Sequence, residues 1–182
     1  MWAMTPLLVR GAGPADAPAC AAIYQPYVTG TAITFETAVP TLEDLAARID
    51  AARASHAWLV AERDGCVVGY AYGGPFASRP AYRWSCEVTV YGAFGLRRTG
   101  VGRALYEALL PRLASRGYRT AVAKITLPNP ASTGLHAAFG FEPVGVHRDI
   151  GFKLGAWHDV AISQRPLSPA PPSDAGPPEE PR

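Results

Sequence analysis

Arg83-Trp84-Ser85-Cys86-Glu87-Val88-Thr89-Val90-Tyr91, with the loop and helix start that follow it through Arg97-Arg98-Thr99-Gly100-Val101-Gly102-Arg103, is the stretch on which the fold of this chain turns. Its first half alternates as a strand does. Trp84, Cys86, Val88 and Val90 share one side, and Arg83, Ser85, Glu87, Thr89 and Tyr91 share the other. The first side reads as core; the second, polar with an aromatic edge, reads as the wall of a cleft. The second half opens a helix over Gly100–Arg116, whose Val101, Ala104, Leu105, Ala108, Leu109 and Leu113 fall on one face.

Elements alternate in type on either side of this segment. Leu7–Arg10 reads as a short strand, and Asp16 as the cap of a helix reaching Val28, bent or ended by Pro26. Thr41-Leu42-Glu43-Asp44 has the form of a capping box opening a helix toward Ala54. Trp58–Arg63 and Cys66–Gly73 flank Asp64-Gly65, a two-residue hairpin signal. Downstream come a strand over Thr120–Leu127, a helix over Ala131–Phe139, and two strands near Val144–Phe152 and His158–Gln164. The pattern predicts a mixed α/β sheet with helices on its faces.

The 182 residues suit one domain, and 48% hydrophobic content suits a packed core. Seventeen basic against fifteen acidic residues leave +2, too little for a general nucleic-acid binder. No apolar run approaches the roughly 20 residues a membrane helix needs. Cys20, Cys66 and Cys86 are odd in number and widely spaced, which argues against a disulfide framework or a metal site and agrees with a reducing, cytoplasmic setting. The N-terminus lacks the basic region of a secretory signal. Residues 1–167 are read as the folded domain. Residues 168–182, holding six prolines and no large apolar side chain, are expected to form a disordered tail.

Three segments could carry chemistry. Glu87 in mid-strand is either one member of a solvated or salt-bridged face or a general base tuned by partial burial. Gly100 and Gly102 at a helix start, beside Arg97, Arg98 and Arg103, either serve close packing or present main-chain N–H groups to a phosphate. Asn129, Ser132 and His136 lie near one helical face, and His136 is either a satisfied structural histidine or a site residue.

In their order, these segments resemble the two signature motifs of the GNAT superfamily of N-acetyltransferases: Arg97-x-x-Gly100-x-Gly102 is similar to its pyrophosphate loop, and Asn129 through Phe141 to its second motif. Trp58-Leu59-Val60-Ala61-Glu62, Ala81-Tyr82-x-Trp84, Glu87-x-Thr89-Val90-Tyr91, Leu127-Pro128-Asn129 and Gly155-x-Trp157-His158-Asp159-Val160 resemble its phosphinothricin N-acetyltransferase-like branch. The resemblance implies a mostly antiparallel sheet of six to seven strands flanked by about four helices, with splayed strands holding acetyl-CoA. It implies direct attack of a small acceptor amine on the thioester, with Glu87 as base and Cys86 uninvolved. Acetyl-CoA would be held by main-chain groups at Val90 and Tyr91, by the loop Arg97, Arg98, Thr99, Gly100, Val101, Gly102 and Arg103, and by Asn129 and Ser132. His136 would protonate the departing thiolate or help deprotonate the amine. Phe35, Arg79 and Tyr82 match the branch's acceptor pocket, whereas Ala77, Pro80 and Arg83 depart from it. The resemblance further implies a homodimer, with Gly155–Val160 at the interface, and no metal. Two other readings stay open: a non-catalytic acyl-CoA sensor, and an acetyltransferase for a polyamine or a protein N-terminus.

Overall fold

The computed structural model describes residues 6–96, 99–168 and 179–181. Strand β1 (Leu8–Gly11) leads through a 3-10 turn at Pro14–Asp16 into helices α1 (Ala17–Gly30) and α2 (Leu42–Ser55). Strands β2 (Ala57–Arg63), β3 (Cys66–Pro75) and β4 (Ser85–Gly92) follow, with a second 3-10 turn, Pro80–Tyr82, before β4. Then come α3 (Val101–Ser115), β5 (Thr120–Thr126), α4 (Pro130–Ala138), β6 (Glu142–Lys153) and β7 (Ala156–Pro166). The strands make one sheet in the order β1-β2-β3-β4-β5-β7-β6, antiparallel throughout except for β4 beside β5.

Local chemistry accounts for several boundaries. Asp64 and Gly65 both take left-handed φ values (53° and 75°), which closes the β2–β3 hairpin at Arg63–Cys66, one residue pair before a register shift between Ala61 and Glu62. Thr41 Oγ1 accepts from the Asp44 N–H, and Asp44 returns the bond to the Thr41 N–H, completing the expected box. Asp16 differs from expectation. Its carboxylate takes the Arg10 guanidinium (2.7 and 2.9 Å) and the Gly13 N–H, and makes no side-chain cap to α1. Pro26 does not end α1, which continues to Gly30.

Two cores lie on opposite faces of the sheet. On one, Leu105, Leu109 and Leu113 of α3 pack against Leu59, Ala71, Cys86, Val88 and Ala123; each such leucine contributes roughly 2–3 kcal/mol by leaving water. On the other, Cys20, Ile23 and Val28 of α1 and Leu45 and Ile49 of α2 cover Trp58, Val60 and Tyr70. The expected division of β4 into a core side and a cleft side therefore holds only in part. Tyr91, assigned to the cleft, joins the second core through Tyr24 and Tyr27, both with ring centroids at 5.0 Å. Trp84, assigned to the core, precedes β4 and is only partly buried; its indole donates to the Glu179 carbonyl, and Arg83 pairs with Glu180. Of the tail expected to be disordered, 169–178 and Arg182 lie outside the described residues.

Candidate active site

The break in the sheet is its most informative feature. Strands β4 and β5 pair at Ser85–Thr120, Cys86–Ala121 and Glu87–Val122, and the pairing stops there although both strands continue. Beyond that point β5 stays with β7 as far as Thr126–Val160, while β4 stays with β3 as far as Gly92–Gly69. The Trp84 carbonyl accepts from Arg119 and Thr120, and the Ala93 N–H donates to Val68. Along β4, main-chain groups of even-numbered residues thus face β5, and those of odd-numbered residues face β3. The Val90 N–H is consequently aimed into the gap, where no strand among the described residues pairs with it.

Glu87 is the last paired residue before that gap. Its side chain is 30% exposed, and Oε2 stands 2.7 Å from Lys124 Nζ. Lys124 lies two residues beyond Val122, the cross-strand partner of Glu87, and on the same face. Of the two sequence readings of Glu87, a salt-bridged position and a partly buried one, the structure shows features of both: the carboxylate is partly exposed and a cation stands beside it. Thr89 and Tyr72 form the next cross-strand pair on this face, and Tyr72 stacks on Trp58 at 4.2 Å. Burial raises the Tyr72 hydroxyl above its ordinary range, so it remains a neutral donor. On the other side of β4, burial pushes the Cys86 thiol up to about 12, which leaves no thiolate to act as nucleophile.

Below the gap, α3 begins at Gly100, which caps it with φ +79°, a conformation that strains any other residue. The first helical bond runs from the Ala104 N–H to the Gly100 carbonyl, so the N–H groups of Val101, Gly102 and Arg103 point outward without helical partners. Gly102 has a packing duty as well: a Cβ there would stand 3.0 Å from Leu135 of α4. The Val101 side chain is buried in the core, leaving its main chain as the available part. Arg103 is exposed, ion-pairs with Glu107 and lies 5.7 Å from the Phe139 ring. Arg97 and Arg98 lie outside the described residues. Arg63, which sequence reading missed, reaches the Thr99 carbonyl with Nη2 (3.2 Å), and its buried Nε has no partner among the described residues. A left-handed glycine, three outward N–H groups at a helix N-terminus and nearby guanidinium groups fit a pyrophosphate.

Helix α4 flanks the other side. Asn129 caps it by accepting from the Ser132 N–H. His136 is 4% exposed. One ring nitrogen, Nδ1, stands 2.8 Å from the Ser132 carbonyl, which only accepts; the proton is therefore on Nδ1, and Nε2 accepts from the Tyr106 hydroxyl at 2.9 Å. Burial lowers the tendency of His136 to take a proton. In this arrangement neither ring nitrogen is free to serve an acid or base, and the imidazole is enclosed by Tyr106, Phe141 and Ser132.

The three acceptor-pocket candidates come from two segments: Phe35 from the link between α1 and α2, and Arg79 and Tyr82 from the second 3-10 turn, where the Tyr82 N–H donates to the Arg79 carbonyl. Tyr82 packs edge-on against Phe76, and Phe76 lies 5.9 Å from Lys124 Nζ, which links Tyr82 to Glu87. Arg79 is exposed at the start of the 3-10 turn. Phe35 lies against the β6–β7 hairpin, its ring occupying the space a Cβ on Gly151 would need. Beside it Lys153 Nζ donates to the Thr34 carbonyl, and Arg48 forks onto Glu36. Among the described residues no group of three His, Cys, Asp or Glu side chains is placed to hold a metal ion, and no helix is long and apolar enough to cross a membrane.

Comparison with known proteins agrees with this geometry. The acetyltransferase (GNAT) domain family matches residues 9–162. Phosphinothricin N-acetyltransferase of Streptomyces viridochromogenes is 38% identical over 173 residues, 94% of each chain. L-methionine sulfoximine/L-methionine sulfone acetyltransferase of Pseudomonas aeruginosa is 37% identical over 163 residues, 88% of this chain and 95% of its own. A crystal structure of a GNAT superfamily phosphinothricin acetyltransferase from Sinorhizobium meliloti, in complex with AcCoA, superposes with a TM-score of 0.86 at 34% identity, covering 94% of this chain and 96% of that one.

Proposed function

The chain belongs to the acetyltransferase (GNAT) family, and from that membership we propose that it transfers acetyl from acetyl-CoA to the amino group of a small amino-acid-like acceptor, of the class that phosphinothricin and methionine sulfoximine represent. The observation that carries this reading is the parting of β4 from β5 directly beyond Glu87, above a glycine-started helix. Acetyl-CoA, held at that gap, supplies an activated carbonyl. The chain supplies the rest.

Main-chain N–H groups of Val101, Gly102 and Arg103, with the guanidinium groups of the Arg97–Arg103 loop, hold the pyrophosphate. Glu87 takes a proton, directly or through a water, from the acceptor ammonium, which must lose it before its nitrogen can attack. The freed nitrogen forms the C–N bond as the C–S bond breaks, its second proton passing to solvent water, and the Val90 N–H donates to the oxygen that gathers charge. A thiolate leaves without assistance at neutral pH and takes its proton from water, since thiols ionise near 8.5. This frees His136 from the acid's task. We assign it to positioning, pinning α4 to α3 through Tyr106. Asn129 and Ser132 shape the start of α4 beside the cofactor arm. Arg79 pairs with an anionic group of the acceptor, and Phe35 and Tyr82 supply apolar walls. Among known amines, a small zwitterion fits these cations better than a polyamine does.

The homodimer is proposed from the free edge of the sheet. Strand β6 is exposed along nearly its whole length, and Val144, Ile150, Phe152, Leu154 and Trp157 stand more than half exposed. An uncovered apolar edge of this kind invites pairing with a second copy. Residues 1–167 are taken as the catalytic unit, 168–182 as dispensable for chemistry, and the setting as the cytoplasm. A thiol-release assay with acetyl-CoA and a panel of amines tests the reaction. Turnover with methionine sulfoximine or phosphinothricin is expected, and silence toward every α-amino acid would refute the acceptor class.

A further inference from the structure

Lys124 and Glu87 meet at the point where β4 and β5 part, with Nζ and Oε2 2.7 Å apart. Resting on the acceptor class proposed above, we propose that Lys124 is the anchor for the acceptor's α-carboxylate and thereby the residue that selects zwitterionic amino acids over simple amines.

Fold stability does not account for this lysine. It is the single charged residue in β5, in a run whose Ala121, Val122, Ala123 and Ile125 are buried, and strands disfavour lysine there. The pair it forms is 44% and 30% exposed, the setting in which an ion pair contributes little. Its head is nonetheless held in place. Nζ lies 5.9 Å from the centre of the Phe76 ring, which gives the cation a second reason to stay beside Glu87 instead of extending into water. Phe76 in turn packs on Tyr82, one wall of the candidate pocket.

The chemistry of the acceptor matches this pair. In an α-amino acid the ammonium and carboxylate are separated by only two bonds through one carbon, so a nitrogen placed at Glu87 brings its carboxylate within reach of Lys124. The internal pair opens and two new pairs form: ammonium with Glu87, carboxylate with Lys124. No net charge is added to the gap. An amine without the carboxylate brings a second cation beside Lys124 and no anion for it, which works against binding. Lys124 thus recognises one class and repels another. Arg79, on the loop after β3, is then free for a more distant anionic group on the acceptor's side chain.

The test compares methionine sulfoximine with the amine that lacks its carboxylate, in steady-state thiol release by wild type, Lys124→Met and Lys124→Arg. Lys124→Met is expected to raise KM for methionine sulfoximine by about tenfold, the worth of one charged hydrogen bond. It should leave KM for acetyl-CoA unchanged and narrow the preference over the decarboxylated amine. Lys124→Arg should keep most of the preference. An equal rise for both acceptors, or no rise for either, overturns the assignment. Absence of turnover by the wild type on every α-amino acid overturns the acceptor class itself, a failure visible without any variant.

Discussion

The Tyr106 hydroxyl donates to His136 Nε2 at 2.9 Å, joining the middle of α3 to α4 through two residues that are almost wholly buried. Nδ1 is already committed to the Ser132 carbonyl, so the hydrogen bond from Tyr106 is the one that completes the imidazole. Tyr106→Phe removes the donor and leaves Nε2 buried without a partner. It should cost about 1–3 kcal/mol in urea unfolding, while the pH–rate profile keeps its shape because the ring is not exchanging protons with substrate. A profile that loses one limb in Tyr106→Phe or His136→Asn would return His136 to the acid–base chemistry.

Glu87→Gln should lower kcat by about 10²-fold or more near neutral pH, the usual worth of a general base. The deficit should shrink as pH rises and free amine accumulates without the enzyme's help. Steady-state rates from pH 6 to 9.5 would show it. An unchanged profile would remove Glu87 from the base's position.

Gly100→Ala forces a side chain into φ +79°, a strain of roughly 1–2 kcal/mol. Open space surrounds the position, so the cost is in the backbone and not in a clash. Because the same turn presents the α3 N–H groups, KM for acetyl-CoA should rise while KM for the acceptor stays near its wild-type value. Parallel titration of both substrates separates the two.

Acid stability should depend on a histidine remote from the chemistry. His56 is 7% exposed, stacks on Tyr118 at 4.7 Å and sits near Arg116; burial and that neighbouring cation bring its pKa down to about 4. The unfolded chain takes up a proton there near pH 6.5, before the folded one does, so stability falls as pH drops from about 6.5 to 4, by about 3 kcal/mol over the window. His136, shifted the same way by burial, adds to the loss. Urea unfolding at pH 7.5 and 4.5 should show the drop, and His56→Phe should flatten it. A wild-type curve without slope would contradict the buried neutral ring.

Much of this was legible because it is local. Asp64-Gly65 must turn, Thr41 and Asp44 cap each other across three residues, and alternation in β4 put Glu87 opposite Cys86. What sequence reading missed depends on partners far along the chain. Lys124 becomes informative only once the β4–β5 register sets it diagonally from Glu87, and the signal available beforehand was a lone charge inside an apolar strand. Arg63 reaches Thr99 across thirty-six residues. Tyr91 falls on the predicted face, but α1 covers that end of it. His136 shares a helical face with Ser132 as expected, yet Tyr106, thirty residues earlier, decides what its ring can do.

The exposed β6–β7 hairpin should reveal itself in mass. Phe152 and Trp157 stack edge-on at 5.3 Å while 59% and 62% exposed. Light scattering on the purified protein should give twice the chain mass of 19.3 kDa, and Trp157→Glu should shift the population toward the monomer. A wild type that is monomeric at high micromolar concentration would leave that face for some other use.

The most direct measurement is a crystal structure of the protein with acetyl-CoA bound. The thioester oxygen should lie within about 2.7–3.2 Å of the Val90 nitrogen, with the pyrophosphate over the start of α3 and the acetyl carbon facing Glu87. A cofactor seated elsewhere, with the space between β4 and β5 left to solvent, would contradict the mechanism at its root.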